Sequence, residues 1–134
     1  MNEILKLIEK FHGHLGPYAV LGYRMGLIAN EKIGTDCFSK NAIVFTGNNP
    51  PLSCIIDGLQ LSSGCTLGKG NIEVIDGDCA KVVFSKKSGE KIEIKLKDNV
   101  REEIDKIVNE GNMVGYSQDI YKKTDQDLFE ISWK

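Results

Sequence analysis

Hydrophobic spacing changes once along this chain, and that change limits the folds open to it. Up to about residue 62, apolar residues recur mostly at the three-to-four-residue interval of helices; from Asn71 onward they alternate with polar ones, the period of strands with one covered face. Ile4, Leu5, Leu7, Ile8 and Phe11 predict a first helix over residues 2–11, with Asn2 as N-cap and a stop near Gly13. A second helix is expected over 18–31, with Leu21, Met25 and Ile28 on one stripe and Gly34 as terminator. Residues 42–46 read as a short strand. Pro51 suits the first turn of a third helix, which runs to Ser62 and closes at Gly64.

After that point Ile72/Val74, Val82/Phe84 and Ile92/Ile94/Leu96 form alternating runs. Asp76-Gly77-Asp78 and Lys87-Ser88-Gly89-Glu90 are turn sequences that join them as an antiparallel meander. Asp98 is expected to cap a helix through 108, and residues 125–131 read as a docked terminal helix. With 134 residues, 41% apolar and 27% charged, the chain is expected to form one α+β domain, an antiparallel sheet meander with helices packed on one face.

Charge and cysteine usage exclude several function classes. The net charge of -2 is spread along the chain, so nothing supports a nucleic-acid partner. No run approaches the roughly 20 apolar residues of a membrane span, since the best stretch is broken by Arg24. The N-terminus reads as an amphipathic helix rather than an export signal, which makes the cytoplasm the expected location and reduced thiols the expected state of the four cysteines.

Two segments carry chemistry. His12 and His14 lie two residues apart in a glycine-bearing bend, where both rings can project to one side. Imidazole is the commonest metal ligand and a proton carrier near neutral pH, although either ring could instead serve the helix C-terminus. Cys54 falls in the first turn of the third helix, where the dipole is expected to favour thiolate, the form that binds metal or attacks carbon. Its alternative is a small core residue. Asp57 lies on the same face and is expected to act as a catalytic base or to orient a ligand. Farther on, Ser63–Gly70 is a glycine-rich loop whose Thr66, Gly68 and Lys69 could bind an anion, or simply turn the chain. It lacks the spacing of a Walker A loop. Cys65 stands roughly 15 Å from Cys54 if the helix between them is straight, so it would reach the same metal only across a subunit interface or belong to a separate site. Cys37 and Cys79 have no partner motif and read as structural.

The segments FHGHLGPYAVLGYRMG and CIIDGLQLSSGCTLGKGN resemble the core domain of the FmdE family, the small component associated with formylmethanofuran dehydrogenase, over about residues 1–75. The resemblance implies a dimeric α+β core from methanogens and other anaerobes, found beside molybdenum or tungsten enzymes, with a His/Cys site that often holds zinc. Carried over, it assigns His12, His14, Cys54 and Cys65 to the metal. Two departures stand out: Gly16 occupies the place of a common family cysteine, and no CxxC pair of a C-terminal zinc finger is present. Gly22 and Gly26 each cost about 1 kcal/mol relative to Ala in a helix, which close packing against another backbone would offset. With the resemblance, they suggest a twofold dimer with its interface near the histidines. Three functions stay open: a zinc-binding accessory of formylmethanofuran dehydrogenase-type metabolism, a stand-alone zinc enzyme for a small anionic or pterin-like substrate, or an interaction module with a decayed site.

Overall fold

A computed structural model describes all residues 1–134. Helix α1 (Glu3–His12) starts where expected, because the Asn2 side chain accepts the Leu5 N–H at 2.8 Å. It ends at Gly13, whose φ of 97° lets the chain turn sharply while its N–H still reaches the Glu9 carbonyl. Helix α2 (Pro17–Ile33) begins on Pro17 and is buried along most of its length, so it is the central element of the core. Strand β1 (Lys40–Val44) follows, then helix α3 (Cys54–Ser63), a 3-10 turn (Leu67–Lys69) and strand β2 (Ile72–Val74).

Strands β3 (Lys81–Lys86) and β4 (Lys91–Leu96) form a hairpin, helices α4 (Asp98–Ile107), α5 (Met113–Lys122) and α6 (Asp125–Leu128) succeed one another, and β5 (Phe129–Trp133) ends the chain. The fold is α+β, with one five-stranded sheet ordered β2-β1-β3-β4-β5. All pairings are antiparallel except β1 with β2. Ala42, Val44, Val82, Phe84, Ile92, Ile94 and Leu96 share the buried face on which the helices pack, while Lys81, Glu93 and Lys95 lie on the other.

Several local expectations change. Strand β2 does not continue a meander into β3; α3 carries the chain across so that β2 lies parallel to β1, a short βαβ unit. Residues 125–131 make one helical turn and then a strand, because Phe129, Ile131 and Trp133 pair with Leu96, Ile94 and Ile92. Asp98 is the first helical residue of α4 rather than its cap, which is Lys97. Helix α5 has no counterpart in the sequence reading.

The tightest contact in the molecule joins α2 and α3. A Cβ on Gly22 would lie 2.0 Å from the Ile55 carbonyl oxygen, and one on Gly26 would lie 1.9 Å from Ser62 Oγ. On the facing helix, a Cβ on Gly58 would lie 1.8 Å from the Ala19 carbonyl oxygen. The close backbone approach expected of Gly22 and Gly26 is therefore made within the chain, and these glycines are not free to form a dimer interface. Gly58→Ala should lower the unfolding free energy in urea by about 3 kcal/mol, at the upper end of overpacking costs. Gly68→Ala, where a Cβ meets nothing within 4 Å, should change it by no more than about 0.5 kcal/mol.

Candidate functional site

Close packing of α2 on α3 brings the two chemical segments together. His12 is the last residue of α1, and Gly13 redirects the chain so that His14 follows it on the way into α2. The two imidazole centroids stand 4.8 Å apart with planes tilted by 31°. His12 Nδ1 lies 2.6 Å from Asp57 Oδ2, one turn into α3. Its other nitrogen, Nε2, is buried and has no hydrogen-bond partner. A buried polar atom without a partner is costly, and such a group in a folded protein commonly marks a place for a ligand, ion or water.

Cys54, at the start of α3, lines the same cavity as His12, His14 and Gly16. The volume is about 500 Å³. A second cavity of about 420 Å³ lies beyond His12 and Cys54 and is bordered by Asp57 and Gln60. No three His, Cys, Asp or Glu side chains already stand close enough together to enclose an ion. The chemistry of the donors nonetheless suits a divalent metal: one partnerless imidazole nitrogen, a second imidazole and a thiol share one wall, and a carboxylate fixes the first ring from behind, the usual arrangement around zinc-binding histidines.

The thiol itself behaves differently from expectation. Burial, then the negative charge of Asp57, pushes Cys54 above the ordinary thiol range, despite a helix start that was expected to favour thiolate. The reason is visible in the backbone. The N–H groups of Cys54, Ile55 and Ile56 already donate to the carbonyls of Pro51, Leu52 and Ser53, so the first turn offers the sulfur few free donors. Asp57 is likewise committed to His12 rather than free as a general base.

Cys65 does not join this site. It is fully buried at the far end of α3, where its N–H meets Ser63 Oγ, and it lines neither cavity. Full burial also rules out a reach across a subunit interface. All four cysteines are unpaired. The glycine-rich loop is held as a turn: Thr66 N–H donates to Asn71 Oδ1, Leu67 N–H to Gln60 Oε1, Lys69 N–H to Thr66 Oγ1 and Gly70 N–H to the Leu67 carbonyl. Those four donors are taken, which leaves Thr66, Gly68 and Lys69 little of an anion nest, and the Lys69 side chain is exposed.

Other wall residues were not legible. Tyr18 donates its hydroxyl to Asp105 Oδ1 at 2.7 Å, and burial followed by that carboxylate raises its pKa far above the usual phenol. Arg101 of α4 also lines the larger cavity, as does Met113 at the start of α5. Tyr18 lies inside the segment that carries the family resemblance, which is the one signal that could have found it. Arg101 reads only as a helix-surface charge until its neighbours are known.

Comparison with known proteins agrees with this layout. A model of the FmdE family, described as "Molybdenum formylmethanofuran dehydrogenase operon", matches residues 11–130. A probable S-adenosyl-L-methionine-binding protein of Archaeoglobus fulgidus is 31% identical over 108 residues, which cover 75% of this chain but 29% of that protein. This chain thus spans less than a third of the length of that relative. The crystal structure of a tungsten formylmethanofuran dehydrogenase FmdE-like protein from Syntrophus aciditrophicus has the same fold, with a TM-score of 0.72 and 22% identity, over 98% of this chain and 70% of that one. A match that takes in both histidines, Cys54 and strands β1 to β4 assigns the chain plainly: it belongs to the FmdE family.

Proposed function

We propose that this protein is a metal-binding accessory of formylmethanofuran dehydrogenase-type one-carbon metabolism, with zinc held by His12, His14 and Cys54. The observation that carries the reading is His12, whose Nδ1 is tied to Asp57 while its buried Nε2 has no partner beside a second imidazole and a thiol. Asp57 would fix the tautomer and direction of the His12 ring, leaving Nε2 as the donating nitrogen. Bound zinc would supply Lewis-acid character, and three protein donors leave room for one further ligand. Family membership supports association with molybdenum or tungsten formylmethanofuran dehydrogenase components. A cytoplasmic location is part of the same proposal; no helix is long and apolar enough to cross a membrane.

Self-association as a homodimer belongs to the same reading, but on another surface than α2. Strand β5 is a free sheet edge, and Ile131 and Trp133 are exposed beside fully buried Ile94 and Ile92. An apolar edge of this kind invites pairing with a second copy.

Metal analysis after purification without a histidine tag should find about one zinc per chain. Asp57→Asn should weaken zinc binding by about 10- to 100-fold, as loss of an orienting carboxylate does at other zinc sites. An unaltered affinity in that variant, or in His14→Ala, would overturn the assignment. Gly16→Cys should bind zinc more tightly, because φ of -125° and a Cβ position 3.4 Å from His14 Cε1 accept a side chain there without strain.

Metal-free protein makes a second test through the thiol. Because burial and Asp57 both raise its pKa, Cys54 should alkylate slowly near neutral pH and faster only as pH climbs past the ordinary thiol range. Asp57→Asn removes one of those two causes, so alkylation of Cys54 at a fixed pH of about 8 should quicken. Zinc should protect the thiol and release its proton, read as acid in a weakly buffered titration.

A further inference from the structure

The larger cavity holds a second constellation that the metal reading does not use. Arg101 points both terminal nitrogens at one residue: Nη1 donates to the Asp78 carbonyl oxygen and Nη2 to Asp78 Oδ1, each at 2.9 Å. Two oxygens thus sit on the two arms of the guanidinium, as the pair of oxygens of one carboxylate would. Asp78 is a poor permanent partner. Its side chain is 88% exposed, and its φ of 43° is left-handed, a conformation that costs a residue other than glycine. A second carboxylate stands on the other side of Arg101: Asp105 Oδ2 lies 3.9 Å from Nε, a charge contact beyond hydrogen-bond length, while the other Asp105 oxygen accepts the Tyr18 hydroxyl. If Asp78 swings away, the Asp105 carboxylate, itself held by Tyr18, still attracts the guanidinium from the Nε side and leaves the fork free.

We propose that Arg101 is the anchor for a carboxylate-bearing small molecule in this cavity, and that Asp78 occupies the anchor only until such a ligand displaces it. The rest of the wall fits the remainder of such a molecule. Leu52, Ile104, Val108 and Met113 supply an apolar lining, and about 500 Å³ suits a small organic acid of one or two rings. His12, His14 and Cys54 border the same space, so a ligand held at Arg101 has its other groups beside them. Anchoring at Arg101 does not depend on the metal, whose presence would add a second point of attachment.

The inference is tested by titrating monocarboxylates from acetate through phenylacetate to indole-3-acetate, each beside its primary amide, into chelator-treated and zinc-loaded protein. Calorimetry gives affinity, and amide chemical shifts give location. The larger acids should bind about tenfold more tightly than their amides, with shifts at Arg101, Ile104 and Met113. Asp78→Gly, which suits the left-handed backbone and removes the competing carboxylate, should tighten acid binding several-fold and leave the amides unchanged. Arg101→Lys keeps the charge but loses the fork, and should reduce the preference for acid over amide several-fold, while Arg101→Gln should abolish it. The proposal is overturned if no acid binds at millimolar concentration, if acids and amides bind alike, or if Asp78→Gly leaves acid binding the same or weaker. Acid binding that needs Arg101 in protein without zinc sustains this inference even if the metal reading fails. Zinc binding without acid binding does the reverse.

Discussion

Two helices in this molecule meet backbone to backbone, and the meeting of the histidine bend with Cys54 and Asp57 follows from that contact. Gly22 lies against Ile55 and Gly26 against Ser62 and Ser63, so α2 and α3 run in roughly the same direction. Their first turns are therefore side by side. The histidine bend feeds one of them and Cys54 opens the other, which is why residues some forty positions apart share a wall. At the opposite ends, Lys40 is buried and donates to Asn30 Oδ1 and to the Ser63 carbonyl, while Asn30 donates to the Ser62 carbonyl. Two helix C-termini lying together concentrate partial negative charge, and a buried ammonium there offsets it. Burial lowers the pKa of Lys40, so the charged form depends on these acceptors.

The electrostatics of the site point the same way as its geometry. Asp57 does two things at once: it holds His12 through Nδ1, and its charge adds to the burial that pushes the Cys54 thiol up. A chain without metal thus presents a thiol raised above its ordinary range beside an orphaned imidazole nitrogen, a state incomplete in its hydrogen bonding. A cation at this place would reverse both features, accepting the lone pair of Nε2 and favouring the thiolate. The helix start alone does not do this, because the N–H groups of Cys54, Ile55 and Ile56 are already taken by the carbonyls of Pro51, Leu52 and Ser53.

Much of this was legible because it is local. Asn2 and Gly13 bound α1, Gly34 ends α2, and the alternating pairs of β3 and β4 are all read from neighbours in sequence. Non-local choices were not legible. Nothing in Ile72-Glu73-Val74 says whether it pairs with β1 or β3, and the answer is set by α3 crossing the sheet. Phe129, Ile131 and Trp133 carry both helical and strand-compatible spacing, and the open edge of β4 decides for the strand. Helix α5 has glycine and polar residues in its first turns, and packing against α2 outweighs that propensity. Cys65 and the glycine-rich loop looked chemical from composition, yet a fully buried thiol and four occupied N–H donors show how little composition says about hydrogen-bond partners.

The same division separates the reactive part of the cavity from the part that would choose a ligand. Cys54 and Asp57 sit on the glycine-packed pair, and His12 and His14 on the bend that leads into it, where a shift of one helix would break the contact that defines the fold. Arg101, Asp105 and Met113 sit on α4 and α5, helices with few buried residues that are fastened at their rims by Tyr18 and, through the Tyr121 carbonyl, by Arg24. Elements held by a few polar clasps can vary in position and in side chain at far lower cost than the central pair. A scaffold arranged in this way keeps one donor set constant while the facing wall changes from one ligand to another. On that argument, the identity of what enters the cavity is written in α4, α5 and the Asp78 loop rather than in the histidine segment.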